Sequence, residues 1–143
     1  MGYQIDLLTG LGEYLHAENV GHWSPTANYG PSDVAITIDE LPASPDEAIA
    51  LGLYPVEDTG TTDTIQGLQL YIRGGRDRFS VKDITDRAFD ALHDLQDVVI
   101  GGIPIVRIWR QSGASLGTDG NGRLEATQNY YLQLTRTGTH RRD

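Results

Sequence analysis

The side chains of this sequence that could carry out catalysis are four histidines and a few serines. The histidines are His16, His22, His93 and His140. No two of them have the i, i+4 spacing that places a zinc ligand pair on one helix face. No serine lies in the G-x-S-x-G turn that exposes a nucleophile, and the nearest candidates, Ser112 and Ser115, belong to a glycine-rich stretch. We therefore predict no catalytic residue, although a hydrolase that pairs a histidine with a serine stays an alternative.

Oxygen-bearing side chains alternate between Asp119 and Glu125, as they do in a calcium-binding loop. A calcium loop needs an oxygen ligand at its fifth position, and here that position is the cation Arg123. A turn held by aspartate side-chain hydrogen bonds is the favoured interpretation. The glycine pairs of the chain lack the lysine and hydroxyl residue of a phosphate-binding loop. We predict no metal and no cofactor, with a small monomeric calcium- or ligand-binding module as the alternative.

Acidic side chains form one stripe in the second half of the chain. Asp83, Asp86, Asp90 and Asp94 lie three or four residues apart, which puts them on one face of a helix. Like charges at this spacing cost a few tenths of a kcal/mol per pair, so the stripe carries a mild strain. We predict that it contacts a partner or faces a central opening. The predicted interface residues are Asp83, Asp86, Asp90, Asp94, Asp119, Asn121 and Arg123.

The elements that must position these side chains follow from hydrophobic periodicity. Leu8, Leu11 and Leu15 predict a helix over 5–18, and a second helix is predicted to begin at Ser80, which would cap it with Asp83 at the third position. Alternating apolar residues and glycine turns predict the strands and loops. The strands are Val34–Ile38, Ala48–Tyr54, Gln66–Arg73, a hairpin over 98–111, and Thr127–Arg136. A loop over 19–33 precedes the first strand, and a second loop, 112–124, is expected to be mobile until a neighbour orders it.

The order of these elements predicts an α+β fold, a mostly antiparallel sheet of about five to six strands with two helices packed on one face. At 143 residues, a single structural domain over 1–143 is expected, with a core over 1–136 and a loose basic tail over 137–143. There is no cysteine, so no disulfide or thiolate metal site can form. The first six residues have no basic or apolar run, and apolar stretches stay near five residues, so we expect no signal peptide and no membrane partner.

Charge is divided sharply along the chain. The first 72 residues contain eleven Asp or Glu and no Lys or Arg, whereas all eleven Lys and Arg follow among nine acids. Opposite potentials on two faces of a subunit favour head-to-tail contact with another copy, and such contacts close into rings or continue into filaments. The net charge of −9 disfavours binding to the phosphate backbone of nucleic acid. This pattern indicates an assembly subunit, although a solvated acidic surface would look the same.

Several ordered segments resemble small proteins from the tail-gene region of actinobacterial tailed phages, the tail terminator or minor capsid family. The segments cover most of the chain in order. They are Asp6–Leu11, Leu41–Asp46 with Ala50–Val56, Val81–His93, and Arg110–Arg123 with Asn129–Tyr131. Their motifs are structural rather than chemical, so the resemblance depends on the ordered set.

This resemblance implies a structural virion protein with no catalytic residues. It implies a homo-hexameric ring that caps the tail tube and joins it to the head–neck connector protein, so that the partners are the tail tube protein, the connector and other copies of the chain. DNA would pass through the ring without specific binding. The expected location is the head–tail junction of the virion, and the host cytoplasm during assembly. A head-completion or connector ring protein of the same junction is the nearest alternative.

Overall fold

The computed structural model describes residues 2–143 and contains two helices and seven strands. The helices are α1 (Tyr3–Ala17) and α2 (Ser80–Leu92). The strands are β1 (His22–Trp23), β2 (Ala35–Ile38), β3 (Ala48–Glu57), β4 (Asp63–Arg73), β5 (Gln96–Ile100), β6 (Ile103–Thr118) and β7 (Leu124–Thr135). No helix in the described residues is long and apolar enough to cross a bilayer.

All seven strands form one curled sheet in the order β1-β2-β3-β4-β7-β6-β5. The pairs β1–β2 and β2–β3 are parallel, and the other four pairs are antiparallel. The α+β class is confirmed, but the prediction of five to six mostly antiparallel strands was wrong because the sheet is mixed and larger. β1 lies inside the predicted loop 19–33, and its two residues are too few to show hydrophobic alternation.

The parallel pairs are joined by loops and not by helices. Residues 39–47 connect β2 to β3, and residues 24–34 connect β1 to β2. A parallel crossover usually needs a dozen or more residues, often helical, so the nine-residue connection is tight. The Glu47 carbonyl accepts a hydrogen bond from the Ala35 N–H at 3.0 Å, and other carbonyls of this connection need side-chain donors. Tyr29 ties the other loop to the sheet by donating its hydroxyl to the Ile36 carbonyl at 2.7 Å.

Both helices pack on the same core. Alternate residues of β4 and β7 point inward, including Leu68, Leu70 and Leu132, and all three are fully buried. α1 adds Leu7, Leu8, Leu11 and Leu15 to this core. α2 adds Val81, Ile84, Ala88 and Leu92. The predicted apolar stripe of Leu8, Leu11 and Leu15 is therefore confirmed. Burial of such apolar side chains is the main driving force for folding.

Two glycines allow α1 to lie against two distant parts of the sheet. A Cβ on Gly10 would come within 2.4 Å of the backbone nitrogen of Gly101, in the β5–β6 turn. A Cβ on Gly12 would come within 2.5 Å of the Trp23 indole ring, in β1. Positions i and i+2 lie about 200° apart around a helix, so these contacts are on nearly opposite sides of α1. The glycines weaken the isolated helix but permit close packing in the folded protein.

The predicted loop over 112–124 was largely wrong. β6 extends to Thr118 and pairs with β7, which leaves only residues 119–123 as a turn. Register shifts at Arg110/Ser112 and Ser115/Gly117 mark bulges, and Gly117 has φ +83°. Bulges accommodate glycine and small polar residues within a strand, which explains why this composition was misread as a loop.

α2 also differs from its prediction at both ends. Phe79 occupies the cap position, and the Ser80 hydroxyl instead accepts a hydrogen bond from the Gly75 N–H at 2.7 Å. The helix ends at Leu92, so Asp94 lies beyond it with φ 64°. The prediction that all four aspartates lie on one helix was therefore wrong for Asp94.

The last seven residues lie against the β3–β4 turn. The Arg142 N–H donates to the Gly60 carbonyl at 3.0 Å, and Thr62 N–H donates to the Arg142 carbonyl at 2.8 Å. The Arg141 guanidinium donates to the Thr61 carbonyl at 2.7 Å and also contacts the Thr64 hydroxyl. How freely this segment moves in solution stays a prediction.

Candidate subunit interface

Three of the four predicted interface aspartates line the outer face of α2. Asp83 accepts a hydrogen bond from Arg87 at 3.1 Å, an exposed i, i+4 ion pair. Arg87 also donates to the Asn19 carbonyl at 3.1 Å and so connects α2 to the end of α1. Asp86 and Asp90 are exposed to solvent. This face is acidic, partly compensated by Arg87, and available to a partner.

Asp94 lies in the connection between α2 and β5 and is bound there by two donors. Its carboxylate accepts hydrogen bonds from Gln96 at 2.9 Å and from the Arg107 guanidinium at 3.0 Å. These two donors hold the pKa of Asp94 below its ordinary value. The pair with Arg107 is half exposed, and exposed pairs contribute only about 0–1 kcal/mol. Asp94 therefore fixes local geometry more than stability.

The turn over 119–123 is closed by its first aspartate. Asp119 accepts hydrogen bonds from the backbone N–H groups of Asn121 at 2.8 Å and Arg123 at 3.0 Å. Its second oxygen accepts from the Arg123 guanidinium at 2.8 Å. These donors, the Arg123 N–H first, lower the pKa of Asp119 to about 2. The predicted aspartate turn is confirmed, and both carboxylate oxygens are engaged by protein donors where a calcium ion would need them.

Two buried arginines hold the tight loop between β2 and β3. Arg73 is 4% exposed and donates to the carbonyls of Pro42 at 2.7 Å, Pro45 at 2.8 Å and Asp46 at 2.7 Å. Arg123 is 7% exposed and donates to the Ala43 carbonyl at 3.0 Å and the Asp46 carboxylate at 3.2 Å. Sequence reasoning missed this cluster, because Arg73 ends an alternating strand like any surface residue. Since Arg123 is engaged inside the subunit, it has few donors left for a neighbour.

One face of the sheet is not covered by either helix, and an aromatic row crosses it. Tyr54, Gly67, Tyr131 and Trp109 are register partners on β3, β4, β7 and β6. The Trp109 and Tyr131 rings meet edge to face at 5.9 Å, and Tyr54 lies over Gly67, where a Cβ would approach its ring to 2.3 Å. The surrounding depression of about 630 Å³ is lined by amide, hydroxyl and small side chains. Sequence reasoning missed this row, because its members come from four different strands.

The candidate catalytic residues are not brought together. His93 is exposed, stacks on Phe89 at 4.5 Å and accepts a hydrogen bond from the Arg110 N–H at 3.1 Å. The rings of His16 and His22 lie 5.0 Å apart. Within residues 2–143 no group of three or more His, Cys, Asp or Glu side chains could hold a metal ion.

These features define a class of α+β protein built on a curled mixed sheet, and solved structures contain the same fold. A chain from the structure titled "Virion of native gene transfer agent (GTA) particle" superposes with a TM-score of 0.62 at 11% sequence identity. The match covers 91% of this chain and 98% of that chain. At this identity the likeness establishes the fold. No curated protein matches the sequence.

The family follows from the sequence model for the bacteriophage tail terminator protein, which matches residues 14–136. The chain belongs to the bacteriophage tail terminator family. The matched range begins within α1 and ends just after β7, so it contains every strand and α2. The resemblance noted from the sequence is thereby confirmed, and the protein is a structural component of a phage-type tail.

Proposed function

We propose that this protein is a non-enzymatic subunit of a homo-hexameric ring that caps the tail tube and joins it to the head–neck connector. The family match over 14–136 is the observation that supports this proposal most directly. Its site in the virion would be the head–tail junction, after assembly in the host cytoplasm. A head-completion or connector ring of the same junction remains the nearest alternative, and microscopy of the particle separates the two.

The distribution of charge supports contacts between unlike surfaces. Two ion pairs join the acidic and mixed halves inside the subunit, Arg123–Asp46 at 3.2 Å and Arg141–Asp58 at 3.9 Å. They balance charge at the two ends of the sheet. The edge strands β1 and β2 have no Lys or Arg, whereas β5 and β6 lie at the opposite edge of the sheet. α1, which also lacks Lys and Arg, packs between the β5–β6 turn and β1. In a head-to-tail ring this acidic side of one subunit would face the mixed side of the next.

DNA must pass such a ring without being held. Each phosphate neutralised by a bound cation releases counterions and adds affinity, so a basic lumen would slow the genome. We propose that the opening is acidic or neutral and that the exposed Asp86 and Asp90 of α2 are candidates to line it. The purified protein should show no measurable binding to duplex DNA at physiological salt. Micromolar, salt-sensitive binding would contradict this part of the proposal.

Electron microscopy of the intact particle tests the ring itself. We expect six copies of the chain at the junction between head and tail, and we expect particles lacking the gene to show tails that are not joined to heads. Restoring the gene should restore joining. Density for the chain at the tail tip, or normal joining without the gene, would overturn the proposal.

A further inference from the structure

The sheet is stepped, because its outer strands stop short of their neighbours at two places. β2 pairs with β3 only as far as Leu51, while β3 continues to Glu57. β5 pairs with β6 only as far as Arg107, and β6 continues to Thr118. In the described residues, no strand pairs with the outer edge of β3 over 53–57 or with that of β6 over 111–118. We call these segments the β3 step and the β6 step.

The two steps lie at diagonally opposite corners of the sheet. The aromatic row from Tyr54 to Trp109 crosses the sheet near the start of both steps. From that row the β3 step runs toward the end of the sheet that contains Asp63. The β6 step runs toward the opposite end, which contains Arg73. One step therefore belongs to each side of the subunit, so the two steps of a single subunit face different neighbours in a ring. Only a head-to-tail contact with an axial offset brings unlike steps together.

The side chains at the two steps are suited to contact. Val56 is 39% exposed on the β3 step, and Leu116 is 47% exposed on the β6 step. Beside the β6 step, a groove of about 370 Å³ separates it from α2. Its apolar lining residues include Val81, Ala114 and Ala126. An extended segment added to this edge would place alternate side chains over that groove, as in other cases of β-strand addition.

Charge favours pairing of the unlike steps. Glu57 is the only charged residue of the β3 step, and Asp58 follows it. The β6 step contains no Asp or Glu, and Arg110 precedes it directly. The groove is lined by one cation, Lys82, and one acid, Asp86, so its own charges balance. Two copies of the β3 step would bring like charges together, which disfavours that alternative.

Both steps also carry features that prevent indiscriminate pairing. Pro55 removes one N–H donor from the β3 step. Bulges at Gln111 and Leu116 leave only Ser112–Ser115 as a regular run on the β6 step. The register of β3 with β4 also shifts between Pro55 and Glu57, so Val56 lies at an irregularity of the β3 step. Short, interrupted edges resist aggregation, so both steps are suited to one specific contact and not to open-ended pairing.

We propose that the β3 step of one subunit pairs with the β6 step of the next, so that sheets of neighbouring copies are joined around the ring. The partner is a second copy of this chain, and the inference rests on the ring proposed above. The pairing would be repeated identically at each of the subunit contacts, as a closed heterologous assembly requires.

Thiol cross-linking tests the pairing directly, because the chain contains no cysteine. The double variant V56C/L116C, treated in assembled rings with a short bis-maleimide, should give a ladder of covalent multimers. The matched control V56C/V99C carries the same first thiol with a second one that is more accessible, since Val99 in β5 is 68% exposed and Leu116 is 47% exposed. We expect at least a tenfold lower yield from the control.

The outcomes separate this inference from the proposed function. Rings seen by microscopy that give no ladder from V56C/L116C, or equal ladders from both variants, overturn the pairing but leave the ring intact. A chain that never assembles overturns both. As an independent measurement, V56D should reduce ring formation at least tenfold while V99D leaves it unchanged. Equal effects of these two variants would also overturn the pairing.

Discussion

The buried arginine cluster and the acidic face of α2 use the same kinds of side chain with very different consequences. Arg73 and Arg123 are almost fully buried, and most of their donors are bonded to a loop that has no secondary structure of its own. Asp83 and Arg87 form an ion pair in solvent, with the Asp83 side chain 69% exposed. The buried guanidinium groups donate hydrogen bonds to loop carbonyls that no strand satisfies, whereas the exposed ion pair adds little to the free energy of unfolding.

The contribution of a charged side chain to stability depends on which hydrogen-bonding groups would lose their partners if that side chain were removed. Removing a buried donor strands carbonyl oxygens that water cannot easily reach, and each stranded group costs about 1–3 kcal/mol. Removing one member of an exposed pair leaves its partner in water, which costs little. The tight parallel connection from β2 to β3 is the reason that this fold needs buried arginines at all.

Arg73→Ala should be the most damaging change in this comparison. It removes donors to three carbonyls and leaves a cavity in a packed loop, so we expect unfolding to become easier by about 3 kcal/mol. The thermal midpoint should fall by roughly 10 °C. Urea denaturation followed by circular dichroism measures the change, with the exposed Arg76→Ala as the matched control. A loss of unfolding free energy below about 1 kcal/mol for Arg73→Ala would contradict the expected difference between buried and exposed arginines.

Arg123→Ala should have the next largest effect. Arg123 donates to the Ala43 carbonyl and to the carboxylates of Asp46 and Asp119, of which Asp119 keeps its two backbone donors. We expect a loss of about 2 kcal/mol. Arg107→Ala, which removes a half-exposed partner of Asp94, serves as the control and should cost below about 1 kcal/mol. Equal losses from both variants would show that burial does not decide the outcome.

Acid titration should reveal how much the ionised carboxylate of Asp119 contributes to stability. Its folded pKa of about 2 lies below the ordinary value of 3.8. The carboxylate therefore stabilises the fold fully above about pH 4, and this contribution is lost as the pH falls toward 2. Asp119→Asn should show a shallower decline in unfolding free energy between pH 5 and pH 3 than the unchanged protein. Parallel curves for the two proteins would mean that the turn does not depend on the ionised carboxylate.

Asp83→Asn should have the smallest effect. The exposed pair with Arg87 contributes a few tenths of a kcal/mol, so we expect a change below about 0.5 kcal/mol in urea denaturation. Arg87→Ala should cost more, because Arg87 also donates to the Asn19 and Val20 carbonyls at the end of α1. If Asp83→Asn proves as costly as Arg123→Ala, the α2 face is structural and the comparison fails.

The sequence predicted those elements whose periodicity is long and regular. The burial of Leu7, Leu11 and Leu15 in α1 and the alternation of Leu68, Leu70 and Ile72 in β4 were visible in the spacing alone. The aspartate turn at 119–123 was also predicted, because its hydrogen bonds join residues only two and four positions apart. Interactions between residues that are close in the chain determine these features, so each feature can be predicted from its own segment.

The missed features depend on partners far apart in the chain. Arg73 is bound to carbonyls about 30 residues away, and β1 exists only because β2 lies beside it. Glycine and serine in β6 resemble a loop until the pairing of Ser112–Ser115 with β7 is known. All seven predicted interface positions stay predictions, since a contact surface needs its partner to be recognised.

The two glycines of α1 give the helix the role of a spacer. Gly101 and the Trp23 ring lie against it on nearly opposite sides, so the gap between the β5–β6 turn and the edge strand β1 is one helix backbone wide. The Cα cylinder of a helix has a radius of about 2.3 Å, and every methyl group added at position 10 or 12 would widen that gap. The distance between the β5–β6 turn and β1 is thus set by a helix backbone that carries no side chain at either contact.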